Sequence, residues 1–317
     1  MTQQLRRTRM TRRVALAALL VVSCAGGGTS ATPTSPTGTA ATPTAPLNVA
    51  GWVSASPGTM PLVIIAPHGG DLSPEELPTR ACAGCSVLND ADTQALAYAI
   101  ADAFEARLGK RPFVVVNRLH RRKFDANREM PEATGGYAPL NPLWTLFHER
   151  VDSAKAGALR VHPRALVIDL HGHAHDKQRL ELGYLLTSSQ LRGTDSALTA
   201  ALAASSIARL ATLRPSSDSG GLLLRGPRAL GSRLAALGVP AVPSDADPAP
   251  LVGDEYFSGG YNTARHGSRL GGAVDAVQIE SHRIGIRDTE ENRALFADKL
   301  VTALAGLLGE YYGWSPK

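Results

Sequence analysis

Short apolar runs, each bounded by proline, glycine or charge and separated by amphipathic stretches, constrain this chain more than any other feature. "PLVIIAP" (61–67), "PFVVVN" (112–117), "ALVIDL" (165–170), "YLL" (184–186), "VPAVPS" (239–244) and "AVQIES" (276–281) predict strands. Most are continuous rather than alternating, as expected of strands covered on both faces. Between them, 90–109, 142–157, 196–213, 227–238 and 289–313 carry a helical period. The first of these opens on an Asp capping signal and closes on a glycine. Strand–helix alternation predicts an α/β protein: a single-domain three-layer α/β/α sandwich around a mixed, mostly parallel sheet.

The first residues stand apart from this pattern. "MTQQLRRTRMTRR" has five arginines and no acid, and an apolar run follows from Val14 to Val22. This is the form of an export leader, with an apolar run too short to span a bilayer. It ends in "VVSC", which resembles the bacterial lipobox. That resemblance implies cleavage after residue 23, lipidation of Cys24 and an envelope lipoprotein facing the periplasm or the surface. Residues 24–46 are almost all Ala, Gly, Ser, Thr and Pro without charge, so they read as a flexible tether. The body is 47–317. The formal charge of +5 equals the five leader arginines, leaving the body near neutral. The high isoelectric point is therefore no argument for a nucleic-acid partner. Cys82 and Cys85 remain in the body, and an exported chain predicts a local disulfide between them.

Three predicted strands end in chemistry-bearing groups, where open α/β sheets bind their ligands. "PLVIIAP" runs into "HGGD", with His68 and Asp71. "ALVIDL" delivers Asp169 and then "HGHAH", with His171, His173 and His175. "AVQIES" carries Glu280 at its end, and the loop after 112–117 contains "FDANRE", with Asp125, Asn127 and Arg128. A His-x-x-carboxylate pair with a distant His supplies the three protein ligands of a catalytic zinc site, leaving a position for water. The glycines of "HGGD" would let the backbone turn so that both side chains meet one ion. A carboxylate outside the ligand set can then serve as general base, and Glu280 is the candidate. Glu75 and Glu76 share the loop with Asp71, so which acid binds stays open. Asp169, two residues before His171 on the same strand face, is a candidate partner for that ring.

"PHGGD", "DANR", "DLHGH", "GGYNT" and "QIESHR", in this order, resemble the N-formylglutamate amidohydrolase family, itself similar in fold to zinc carboxypeptidases. The resemblance spans about 61–310. It implies that His68, Asp71 and His171 bind Zn2+, and that Glu280 is base and then acid. Arg128 would hold a substrate carboxylate or the developing oxyanion, with Asn127 beside it. The expected reaction is hydrolysis of a C–N amide bond in an N-acyl or N-formyl amino acid or a peptide. The carboxypeptidase pattern has a Glu where this chain has Asp71.

Tyr261 and Asn262 read as pocket lining and His266 as a substrate contact. His173 and His175 read as exposed loop residues, although a His-rich tract can also hold adventitious metal. "SDSGG" (217–221) superficially resembles a serine-protease nucleophile motif, but no fitting triad accompanies it, and Ser219 reads as a loop residue. Neither G-x-S-x-G nor G-x-x-x-x-G-K-[ST] occurs, which argues against an α/β serine hydrolase and a P-loop NTPase. The rival reading is a non-catalytic lipoprotein that captures zinc or a small ligand with the same groups.

Overall fold

The computed structural model describes residues 47–316, apart from 83, 214, 215 and 217. The leader, Cys24 and the tether lie outside the described residues. Among the described residues no helix is long and apolar enough to cross a membrane.

Seven strands form one sheet: β1 (Val53–Ser56), β2 (Leu62–Ala66), β3 (Phe113–Asn117), β4 (Ala165–Gly172), β5 (Leu180–Gly183), β6 (Ala241–Val242) and β7 (Val274–Ser281). Their order is β1-β3-β2-β4-β7-β5-β6. The central strands β3, β2, β4 and β7 are parallel, β1 is antiparallel to β3, and β5 is antiparallel to β7. The sheet is therefore mixed and mostly parallel at its centre.

Both faces are covered, which explains the continuous apolar runs. Leu62, Ile64 and Ala66 of β2 join Val114, Val116, Leu166 and Ile168 in one core layer. The Thr93–Leu108 and Glu290–Tyr312 helices close that layer with Leu96, Ile100, Phe104, Phe296, Leu300 and Leu304. The alternate residues Val63, Ile65, Val115 and Val167 meet Leu143, Phe147 and Val151 of the Asn141–Leu159 helix on the other face. A period of two along each strand thus sorts one run into two layers.

Several boundaries differ from expectation. β1 has no buried residue, three being partly buried and Ala55 exposed, so its weak apolar signal hides an edge strand. "YLL" lies just beyond β5 rather than within it. The helical period over 196–213 is broken into Asp195–Ala201, a 3-10 turn at Leu202–Ala204 and Ala208–Leu213. The break is at buried Ser205 and Ser206. There Ser206 N donates to Tyr184 O (3.0 Å), and its carbonyl accepts from Ser268 N (3.0 Å) and Ala276 N (3.1 Å). Those bonds to neighbouring segments replace helical ones. Ser219 opens a short helix, Ser219–Arg225, rather than lying in a loop. Cys82 and Cys85 are joined as a disulfide, and Arg80 Nη1 donates to Cys82 Sγ (3.3 Å).

Candidate metal centre

The parallel register carries the site. His171 and Glu280 are direct partners across β4 and β7, and Asp169 partners Gln278 two residues earlier. All four side chains therefore stand on one face at the carboxyl ends of adjacent strands. β2 lies on the other side of β4 and ends just before His68.

Two imidazoles converge on one carboxylate oxygen there. His68 Nδ1 and His171 Nδ1 each lie 3.2 Å from Asp90 Oδ2, and the ring centroids are 4.7 Å apart. His68, Asp90 and His171 are buried and close enough to hold one metal ion. Each ring's far nitrogen is held by a second carboxylate. His68 Nε2 lies 2.6 Å from Asp125 Oδ1, and His171 Nε2 lies 3.0 Å from Asp169 Oδ1. The hydrogen bond to Asp125 orients the His68 ring, the Asp169 carboxylate stands close beside that of His171, and both Nδ1 atoms face the common centre, as in metal-ligating histidines. Two imidazole nitrogens and a carboxylate oxygen are a donor set suited to zinc with one position left open.

The carboxylate in this cluster is Asp90, not Asp71. Asp71 is exposed, as are Glu75 and Glu76. After Gly70 the chain forms a bridge between Leu72 and Leu119, with Leu72 N donating to Arg118 O (3.0 Å), which directs Asp71 outward toward His120. Neither Gly69 nor Gly70 has a positive φ. A Cβ at Gly69 would strike Thr93 Oγ1 and Gln94 N, and one at Gly70 would strike the Arg118 backbone. These glycines serve close approach of β2's exit to the Thr93–Leu108 helix and to the chain after β3, rather than a left-handed turn. Asp90 reads in sequence as a helix-capping acid. The N-cap is Asp92, which makes no side-chain cap bond, while Asp90 N donates to His68 O (3.2 Å) and its carboxylate turns to the histidines.

A second layer of charge supports the three groups. Asp125 Oδ2 accepts from Arg121 Nε (3.0 Å) and Arg80 Nη2 (3.2 Å), and Arg121 Nη1 also reaches Asp90 Oδ1 (3.4 Å). Arg121 therefore links both carboxylates. Burial is the largest single influence and opposes ionisation of Asp90 and Asp125, but His68 with His171 at Asp90, and His68 with Arg121 and Arg80 at Asp125, together hold both below the ordinary carboxylate range. Burial also opposes a charge on His171, yet Asp169 and Asp90 hold it well above the usual imidazole range.

Glu280 has the opposite balance. Its Oε1 lies 4.0 Å from His171 Nδ1 and accepts from Gln278 Nε2 (2.9 Å), and its buried Oε2 has no hydrogen-bond partner. Burial pushes its pKa up to about 8; His171 opposes this, while Asp90 and Glu181 add to it.

The remaining predicted residues fall into two groups. Asn127 is buried and its Oδ1 accepts from Asn262 N (2.7 Å), so "DANR" and "GGYNT" dock on each other. Gly260 fits that contact because a Cβ would strike the Asn127 amide. Arg128 is half-exposed and engaged by Glu132 Oε1 (2.8 Å) and Asn127 O (2.9 Å). Tyr261 lies against Trp144, over which Arg265 stacks at 5.0 Å. His266 is turned elsewhere: its Nε2 meets His148 Nδ1 (3.1 Å) and its Nδ1 faces Asp152 (3.5 Å) and Lys155 (3.5 Å). That placement follows from its position on the last turn of the Tyr261–His266 helix, facing the Asn141–Leu159 helix. His173 is buried and His175 half-buried, so they are not exposed loop residues.

No family model matches this sequence, and no curated protein matches it. Solved structures do match by shape. N-formylglutamate amidohydrolase from Ralstonia eutropha superposes with a TM-score of 0.51 at 14% identity, covering 82% of this chain and 98% of that one. The likeness is one of fold. It supports the expected single-domain α/β architecture. A gene product of Agrobacterium tumefaciens gives 0.49 at 16% identity, covering 82% of this chain and 95% of that one. The N-acetylmuramyl-L-alanine amidase Ami1 from Mycobacterium smegmatis gives 0.36 at 14% identity, covering 78% and 97%.

Proposed function

We propose that this protein is a metal-dependent hydrolase of C–N amide bonds, with zinc held by His68, Asp90 and His171. The observation that carries this reading is the convergence of two oriented Nδ1 atoms on Asp90, beside a buried carboxylate that no ligand role occupies. The amidohydrolase whose fold it shares gives the reaction class its support.

When bound, zinc polarises a carbonyl and brings the pKa of a water from about 15.7 toward about 7. Glu280 supplies the proton transfers. Its unpartnered Oε2 accepts the proton from the attacking water, and a raised proton affinity lets it return that proton to the leaving nitrogen. A cation beside it would draw its pKa down from about 8 toward neutrality, where a general base works best. Asp125 and Asp169 keep the rings in register through the reaction, and Arg121 holds Asp90 and Asp125 in fixed relation. Arg128, which pairs with Glu132 and follows Asn127, is the cation we assign to a substrate carboxylate. N-acyl and N-formyl amino acids and peptides carry that group.

The test is a panel of N-formyl and N-acyl amino acids and short peptides, assayed with zinc, with chelator and in Glu280→Gln. Turnover that chelator removes, zinc restores and Glu280→Gln loses, with bound zinc retained, is the expected result. Near-wild-type turnover in Glu280→Gln would remove it from the mechanism. Zinc binding without turnover on any amide would favour a metal-capturing protein.

A further inference from the structure

A second cluster repeats the plan of the first. His173, His175 and Glu181 have ligand-capable atoms within 4.8 Å of one another. The His173 and His175 ring centroids are 5.0 Å apart, against 4.7 Å for His68 and His171. His175 Nδ1 lies 2.8 Å from Glu181 Oε1. The outward nitrogen of His173 is fixed: Nε2 donates to Arg179 O at 2.8 Å, so the proton sits there and Nδ1 keeps its lone pair. The one hydrogen bond to that lone pair is from His175 N, at 3.2 Å. A backbone carbonyl thus sets the tautomer, as it does for metal-ligating imidazoles, and a metal on Nδ1 would take the place of the His175 N–H.

Glu181 is fully buried. Its Oε2 accepts from Phe257 N (2.7 Å), leaving Oε1 to the histidines. It is the register partner of Glu280 across β5 and β7, so two buried carboxylates stand side by side. Such a pair calls for positive charge nearby. Close by, His282 presents a buried Nδ1 without a hydrogen-bond partner, with its ring 6.2 Å from that of His173. A cavity of about 170 Å³, lined by His175, Asp176, Lys177, Asp254 and Glu255, opens beside His175.

We propose that His173, His175 and Glu181 form a second divalent-cation site of zinc type, flanking the first across β7. The donor set, two imidazoles and one carboxylate, is the same, and His175 brings it to the edge of the cavity. An ion there joins the loop after β4 to β5 and compensates Glu181 beside Glu280.

The purified full chain is stripped with chelator and titrated with zinc, and bound metal is counted by atomic absorption. A parallel titration with cobalt(II) follows the visible bands of each site. Wild type, His171→Ala, His175→Ala and the milder His175→Gln are compared, with circular dichroism checking that each variant is folded. About two ions in wild type, and about one in each variant with a different cobalt spectrum remaining, is the expected result. A single ion lost in His171→Ala and kept in both His175 variants overturns the second site and leaves a plain His175–Glu181 ion pair. A single ion lost with His175 and kept in His171→Ala supports this site and defeats the proposed catalytic centre, so the two failures are distinguishable.

Discussion

Asp90 is the residue on which the proposed centre turns, because it alone touches both Nδ1 atoms at 3.2 Å. Asp90→Asn is expected to lose the ion of this centre while Asp71→Ala keeps it, as read by a drop of about one ion in metal content after dialysis. Asp125→Asn keeps the ligands but loses the anion that orients His68. It should weaken zinc affinity by about 10–100-fold in competition with a chromogenic chelator. Glu280 makes a pH prediction for the metal-free protein. Its pKa is raised from 4.5 to about 8, and that of His171 is also raised. For both, the contribution to stability is fully present below the unfolded-state pKa and is lost as pH rises through the folded one. The melting temperature of the stripped protein should therefore fall between about pH 5 and 8. Glu280→Gln should flatten that fall, and an unchanged profile would contradict the burial argument. Asp90 and Asp125 have lowered pKa values, so their contribution is lost only as pH drops below the ordinary carboxylate range.

At the scale of elements, the site depends on how closely β2's exit approaches the Thr93–Leu108 helix. Gly69 sits against Thr93 and Gln94, and Asp90 lies three residues before that helix begins. Gly69→Ala should separate the two segments, lowering stability by about 1–3 kcal/mol in urea unfolding and weakening metal binding with it. Phe104, buried on the inner face of the same helix, gives the contrast. Phe104→Ala should cost about 3–5 kcal/mol through its cavity, yet the folded fraction should still bind zinc with near-normal affinity.

For the whole molecule, the ligands come from three separate segments: the exit of β2, the loop before the Thr93–Leu108 helix, and β4. An ion that binds only the folded chain stabilises all of them together. Free zinc at about 100 times its Kd should add about 2.7 kcal/mol, and chelator should lower the melting temperature accordingly. The expected lipid anchor at Cys24 is a proposal of the same scale. Incorporation of a labelled fatty acid in the full chain, lost in Cys24→Ala, is the outcome that supports it.

The fold was legible because burial on both faces leaves a chemical record in each strand. Continuous runs at 61–67, 112–117 and 165–170 match β2, β3 and β4 to within a residue or two at each end, and helical periods mark the covering layers. That His68, His171 and Glu280 come together was legible for a related reason. A polar group at the end of a buried strand has its direction set by its own strand's period, and ligands gather at that end of the sheet. β1 was not legible, since an edge strand with partly buried residues has little apolar signal. The helix expected over 196–213 broke because Ser206 found partners on Tyr184, Ser268 and Ala276. Asp90 is 22 residues from His68 and 81 from His171, and beside a helix start it carried the mark of a cap. No spacing rule joins such positions. The sequence alone determined which strand ends carry chemistry, because local periodicity encodes which way a side chain points. Which carboxylate meets the two histidines, and that His173 and His175 gather on Glu181, only the tertiary structure decided. Those encounters depend on loops brought together by packing between elements, and packing leaves no periodic trace.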